Sequence, residues 1–82
     1  MLEFVLDYIK DGVASYSFHP EGDSSFTGHV RMNIESREPV EIVRSGHPYE
    51  FDNYSYAGKL LARMREFAKA GDFKKSGIVA WC

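Results

Sequence analysis

An amphipathic segment between Asp52 and Gly71 gives the clearest pattern of hydrophobic and polar positions in the chain. Its apolar residues recur every three or four positions, which at about 100° per residue places them on one stripe of an α-helix. Asp52 suits the N-cap, Phe51 and Tyr56 are spaced as a hydrophobic staple, and Gly71 suits the C′ position. We therefore predict a helix over about residues 53–70, with a buried stripe of Tyr56, Ala57, Leu60, Leu61, Met64, Phe67 and Ala68.

Alternating hydrophobic and polar residues predict two strands near the start of the chain, over 2–9 and 13–18. The connection between them allows two registers. A two-residue loop of Asp11 and Gly12 would mix the polar and apolar faces, whereas a three-residue loop with Gly12 in a bulge collects the large apolar side chains on one side. We therefore predict the three-residue loop, with the pairs Phe4–Phe18, Leu6–Tyr16 and Tyr8–Ala14.

Three further strands are predicted over 26–35, 40–44 and 78–82. The strand over 26–35 alternates most regularly, so one of its faces is expected to be buried and the other solvated. Its register with the preceding strand is predicted from the pair Phe18–Phe26. In the following strand, Val40 and Ile42 are expected to meet Ile34 and Met32.

These elements predict an α+β fold in one domain, residues 1–82. The first strand has apolar residues on both faces, as interior strands often do, and so we place the last strand beside it. The result is a five-stranded antiparallel sheet of order 5-1-2-3-4 and topology ββββαβ, with the single helix across one face. The helix is expected to cover Phe4, Leu6, Tyr16, Phe18, Val30, Met32, Ile34 and Ile42.

Composition narrows the class of protein further. Residues 1–52 carry ten acidic and four basic side chains, whereas residues 53–82 carry two acidic and six basic ones. We interpret this as a basic helix complementing an acidic sheet, because the pI is about 5.9 and no nucleic-acid-binding motif is present. A single cysteine and the absence of an apolar run of about 20 residues predict a cytoplasmic protein with no membrane segment.

Candidate chemistry is sparse. The spacing of His19, His29 and His47 is not that of a zinc site, and we expect neither a metal nor a cofactor. The predicted register brings Ser15 opposite His29 on the polar sheet face, with Ser17 nearby. That pair has no third orienting group, no oxyanion-binding turn and no cleft in the sequence pattern, and so we predict no catalytic site.

An interaction surface is the function that this pattern favours. A partly apolar sheet face away from the helix is typical of a self-association or partner site, and Gly58 in mid-helix suggests close approach by another group. We predict a non-catalytic interaction or regulatory module that forms a homodimer through this face or through a sheet edge. The predicted surface comprises Val5, Ile9, Val13, Val43 and Trp81.

The alternative is a small-ligand-binding protein or enzyme that uses the polar side chains of the same face. Concavity distinguishes the two functions, because a sheet that curls around these side chains favours a ligand and a flat apolar patch favours a protein partner. The candidate residues are Ser15, Ser17, His29 and Arg31.

Overall fold

The computed structural model describes residues 1–50 and 56–80, which form one antiparallel sheet covered on one side by a helix. The strand order is β4-β3-β2-β1-β5, which confirms the predicted α+β class, topology and strand order. The elements are β1 (Leu2–Lys10), β2 (Val13–Pro20), β3 (Gly28–Asn33), β4 (Pro39–Val43), a 3₁₀ turn (Pro48–Glu50), α1 (Tyr56–Ala70) and β5 (Ser76–Val79).

The β1–β2 loop differs from its prediction. It contains two residues, Asp11 and Gly12, and both have positive φ, 51° and 77°. Two such residues form the type I′ turn that matches the twist of a hairpin, and they leave Lys10 paired with Val13. The predicted three-residue loop was therefore wrong.

A β-bulge in β1 reconciles this short loop with a buried apolar face. Asp7 is the extra residue, because the register shifts between Leu6 and Tyr8. Before the bulge the predicted pairs Phe4–Phe18 and Leu6–Tyr16 are confirmed. After it Tyr8 pairs with Ser15 rather than with Ala14, and so the side chain of Tyr8 moves to the other face.

The registers of β3 were also predicted wrongly. Phe18 pairs with Gly28, two residues from the expected Phe26, because the large ring occupies the space that a glycine leaves. At the next junction Ile42 pairs with Val30 rather than with Met32.

A second irregularity lies between β3 and β4. Arg31 pairs with Glu41, but the next residue of β3, Met32, pairs with Pro39. Val40 is thus an extra residue on β4, and it does not meet Ile34 as predicted.

The core lies between α1 and the sheet. Ile42 was expected there but is 45% exposed, because it lies on the edge strand β4, whereas α1 packs mainly on β3, β2 and β5 and on Phe4 of β1. Leu6, Ile34, Ala57 and Ala68 pack at the margin. The buried apolar residues are Leu2, Phe4, Ala14, Tyr16, Phe18, Val30, Met32, Tyr56, Leu60, Leu61, Met64, Phe67 and Val79.

The end of α1 follows the prediction. Gly71 has a φ of 70°. Its N–H donates to the carbonyl of Ala68 (3.2 Å), and the N–H of Asp72 donates to the carbonyl of Phe67 (3.0 Å). These two bonds form a Schellman motif, which satisfies carbonyls at the helix end. The predicted N-cap Asp52 and staple residue Phe51 lie outside the described residues.

The buried carboxylate of Glu50 organises the loop that follows β4, a role that the sequence analysis missed. It accepts hydrogen bonds from the backbone N–H groups of Ser45 (2.7 Å) and Gly46 (3.0 Å) and from the Ser45 hydroxyl. Glu50 is only 5% exposed. The loop therefore depends on one carboxylate for several of its donors.

Replacing Glu50 with alanine is expected to lower the free energy of unfolding by about 2 kcal/mol, because buried donors lose a charged acceptor. Urea denaturation measures the loss. Glu35→Ala is the matched control, since Glu35 is exposed. Equal stabilities of the two variants would show that Glu50 does not hold the loop.

Candidate functional site on the open sheet face

The sheet face away from α1, here called the open face, carries the candidate residues. One residue from each strand forms a row across it: Ser76, Val5, Ser17, His29 and Val43 lie on successive strands from β5 to β4. We call this the first row. Between β1 and β4 its outer members, Val5 and Val43, are apolar and exposed and its centre is polar, and Ser76 extends it onto β5.

The structure keeps most of the predicted interaction surface on the open face. Val5, Val13 and Val43 lie there by register. Ile9 does not, because the bulge at Asp7 places it opposite Ala14 on the helix side, where it is 48% exposed. Trp81 lies outside the described residues.

A hydrogen-bonded chain links β1, β2 and β3 beside the first row. The Ser17 hydroxyl donates to the carboxylate of Asp7 (2.7 and 2.8 Å), and its oxygen lies 3.1 Å from Nδ1 of His29. A hydroxyl has one hydrogen, so the Ser17 oxygen accepts from Nδ1–H of His29. The second carboxylate oxygen of Asp7 is 3.7 Å from the same ring nitrogen.

This arrangement does not activate a nucleophile. In a Ser-His-Asp triad the serine donates its proton to the histidine, and the carboxylate holds the opposite ring nitrogen. Here Ser17 donates to Asp7, and both groups contact the same nitrogen of His29. The three side chains therefore form a polar cross-strand link, and we assign them no catalytic step.

Ser17 and His29 were predicted as site residues on this face, but Asp7 was not. Regular alternation puts Asp7 on the open face, but it gives no reason to single this carboxylate out. The bulge at Asp7 sets its position against Ser17 and His29. One feature of the sequence could have indicated the bulge. A two-residue loop at Asp11 and Gly12 puts polar and apolar side chains on the same face unless one strand contains an extra residue.

A second row lies toward the β1–β2 loop and contains Tyr8, Ser15, Arg31 and Glu41. Ser15 was predicted opposite His29, but it pairs with Arg31 because the register is displaced by two residues. A guanidinium nitrogen of Arg31, Nη1, forms an ion pair with the carboxylate of Glu41.

Ser15 is 0% exposed although it lies on the open face. Two buried side-chain polar atoms in the described chain have no hydrogen-bond partner, Oγ of Ser15 and Nε of Arg31. Ser15 and Arg31 are paired across β2 and β3, so the two unsatisfied groups lie next to each other in the sheet.

A concavity of about 550 Å³ opens over this second row. Its walls combine an aromatic ring and two valines with two cations and one carboxylate. The residues predicted for a ligand were Ser15, Ser17, His29 and Arg31, and of these four Arg31 lines the concavity. The lining residues are Tyr8, Lys10, Asp11, Val13, Arg31 and Val40.

The three histidines are dispersed. His19 contacts the carbonyl of Phe26 (3.0 Å), and His47 packs its ring on Phe26 and Tyr49 (5.0 Å between centroids). Across residues 1–50 and 56–80, no group of three His, Cys, Asp or Glu side chains could hold a metal ion. In the same residues no helix has the length and apolar character needed to cross a membrane.

No protein-family model, curated protein or solved structure matches the chain significantly. Function is therefore inferred from this chain's own surface. Its most distinctive property is apolar exposure. Eight large hydrophobic side chains stay exposed in the described residues, and five of them lie on the open face: Val5, Tyr8, Val40, Val43 and Ile78.

Proposed function

We propose that the chain is a non-catalytic interaction module that forms a homodimer through the open face. The observation that supports this proposal is the concentration of exposed apolar side chains on one uncovered sheet face. Val5, Val43 and Ile78 are 46%, 41% and 55% exposed. An uncovered, partly apolar face is typical of a protein interface.

A second copy suits this face because the first row is self-complementary. A two-fold axis parallel to the strands, between β2 and β3, exchanges β1 with β4. It places Val5 on Val43 of the second copy and Ser17 on His29 of the second copy, with sheet twist setting the strands about 30° apart. Apolar residues then meet apolar residues at both ends, and polar groups meet at the centre.

The sheet edges suit association less well. β4 begins with Pro39, contains the extra residue Val40 and carries the charged Glu41, and all three features discourage strand addition. β5 has only four residues. We therefore propose the face rather than an edge as the interface.

Charge pairing on α1 argues against nucleic acid as the partner. Arg63 pairs with Glu66 (3.6 Å), and Arg65 pairs with Glu38 (3.8 Å) and donates to the carbonyl of Arg37 (2.9 Å). These basic side chains are thus engaged within the protein. The single cysteine fits a reducing compartment, and we propose that the dimer acts in the cytoplasm.

Val5→Asp is expected to weaken dimerisation by at least about tenfold, because it buries a carboxylate in an apolar contact. Sedimentation equilibrium measures the dimer dissociation constant. Ile9→Asp is the matched control, since Ile9 lies on the same strand with nearly the same exposure, 48% against 46%, but on the opposite face. It is expected to leave dimerisation unchanged.

The proposed axis gives a sharper test with paired charges. Val43→Lys alone is expected to weaken the dimer as well, whereas Val5→Asp combined with Val43→Lys places opposite charges against each other twice and restores much of the affinity. Equal dissociation constants for the wild type and both single variants would refute the open face as the interface. Failure of the double variant to recover would refute the proposed axis.

A further inference from the structure

The two unsatisfied polar atoms of the open face lie where the sheet is most distorted. The second row, which contains Ser15 and Arg31, begins directly after the bulge at Asp7 on β1. It ends beside the extra residue Val40 on β4. Bulges bend their strands and increase the local twist, and they are over-represented next to functional sites.

The two bulges flank the concavity. Tyr8, which follows one bulge, and Val40, the extra residue of the other, both line it and are 43% and 58% exposed. Its lining is therefore apolar at Tyr8, Val13 and Val40, and polar at Lys10, Asp11 and Arg31. Ligand sites in proteins commonly occupy about 300–1,000 Å³, combining apolar walls with a few polar groups, and the volume of about 550 Å³ here lies in that range.

The two cations that line the concavity, Arg31 and Lys10, differ in whether a carboxylate of the protein already pairs with them. The Arg31 guanidinium is paired with Glu41. In the part of the chain that the structure describes, the ammonium of Lys10 has no ion pair within 4.0 Å. Lys10 lies at the end of β1 beside Val13, so a cation is available at the rim of an apolar wall.

We infer that this concavity binds a small molecule that carries a carboxylate on a flat apolar body. The ammonium of Lys10 pairs with the carboxylate, and the body lies between the ring of Tyr8 and the side chains of Val13 and Val40. The occupant is a small molecule rather than a peptide, because the lining is limited to six residues, five on β1 to β4 and one, Asp11, in the β1–β2 loop.

Benzoate is the probe, and ¹H–¹⁵N chemical-shift titration of the wild-type protein is the measurement. Saturable shifts are expected at the backbone amides of Tyr8, Val13 and Val40. Benzamide has the same ring without the charge, and acetate has the charge without the ring. Each is expected to bind about tenfold more weakly than benzoate, because each lacks one of the two contacts.

Lys10→Gln is expected to weaken benzoate binding by about tenfold while leaving benzamide binding unchanged. Lys75→Gln, which changes a lysine outside the concavity, is the control and is expected to bind benzoate as the wild type does. Shifts that do not saturate at millimolar benzoate, or equal binding of benzoate and benzamide, would overturn the inference. The concavity lies on the same face as the proposed interface, so the titration is repeated with the Val5→Asp variant, in which dimerisation is weakened. Saturable benzoate shifts are expected in that variant as well, and their loss would overturn the inference without bearing on the dimer.

Discussion

Replacing Gly28 with alanine is expected to destabilise the protein by about 3 kcal/mol, at the upper end of what overpacking usually costs. Gly28 is buried opposite Phe18, and the phenyl ring lies across the glycine. A Cβ atom there would overlap Cζ of Phe18 and lie only 2.8 Å from the carbonyl oxygen of Val43. Phe18 is 0% exposed in the core, and the Val43 oxygen belongs to a paired strand, so neither atom can move aside easily.

Urea denaturation of Gly28→Ala and Gly77→Ala gives a graded comparison. Cβ at Gly77 would lie 2.8 Å from Cζ of Phe4, but no backbone atom is among its nearest neighbours, and β5 is an edge strand. Gly77→Ala is therefore expected to lower the free energy of unfolding by about 1 kcal/mol. Equal losses, or a stable Gly28→Ala, would show that Phe18 does not need the space above the glycine.

Stability is expected to fall steeply between about pH 10 and pH 12. Burial, with a smaller contribution from Asp72, raises the pKa of Tyr16 from 10.0 to about 12. The folded state then holds the phenol proton more tightly than the unfolded state. Tyr16 thus contributes stability that is complete below pH 10 and is lost as the pH rises to about 12, at about 1.4 kcal/mol per pH unit.

The hydrogen bond of Tyr16 makes this result testable by mutation. Its hydroxyl donates to the carbonyl of Lys74 (2.6 Å). Tyr16→Phe is expected to cost about 1 kcal/mol at neutral pH and to flatten the alkaline fall. Burial followed by hydrogen bonding to Glu21 also raises the pKa of Tyr56 to about 12, and so some alkaline dependence should remain.

Chemical denaturation across this pH range measures both effects. Tyr8→Phe is the control, because Tyr8 is 43% exposed on the open face, away from both buried phenols, and the stability of this variant should fall as steeply as that of the wild type. A Tyr16→Phe variant whose stability falls as steeply as that of the wild type would contradict this explanation.

The order and type of the elements could be predicted because burial is periodic. The apolar stripe of the helix and the apolar faces of β1 and β3 must all be buried. Packing the helix against one face of the sheet buries all of them at once. The helix end at Gly71 was predictable for a local reason. A residue with positive φ in a Schellman motif is most often glycine.

Registers were less predictable because two bulges and one glycine decide them. Matching large apolar residues favoured Phe18 opposite Phe26, whereas the structure places Phe18 over Gly28, where the missing side chain makes room. Asp7 and Val40 each add a residue that alternation alone does not reveal. A pattern of period two has no position for an inserted residue.

In the candidate site, too, residues on regular strands were predictable and residues beside the bulges were not. Ser17, His29 and Arg31 were predicted on the open face, and regular alternation put them there. Their partners Asp7 and Glu41 depend on the irregular strands β1 and β4. The concavity could not be predicted either, because it lies between two bulges that alternation does not reveal.

Sedimentation equilibrium of the wild-type protein over a wide concentration range tests the proposed dimer most directly. We expect the average mass to rise from 9.4 kDa for the single chain toward twice that value. The Val5→Asp variant should stay at the lower mass where the Ile9→Asp variant dimerises. A wild-type protein that remains at 9.4 kDa at every concentration would contradict self-association through the open face.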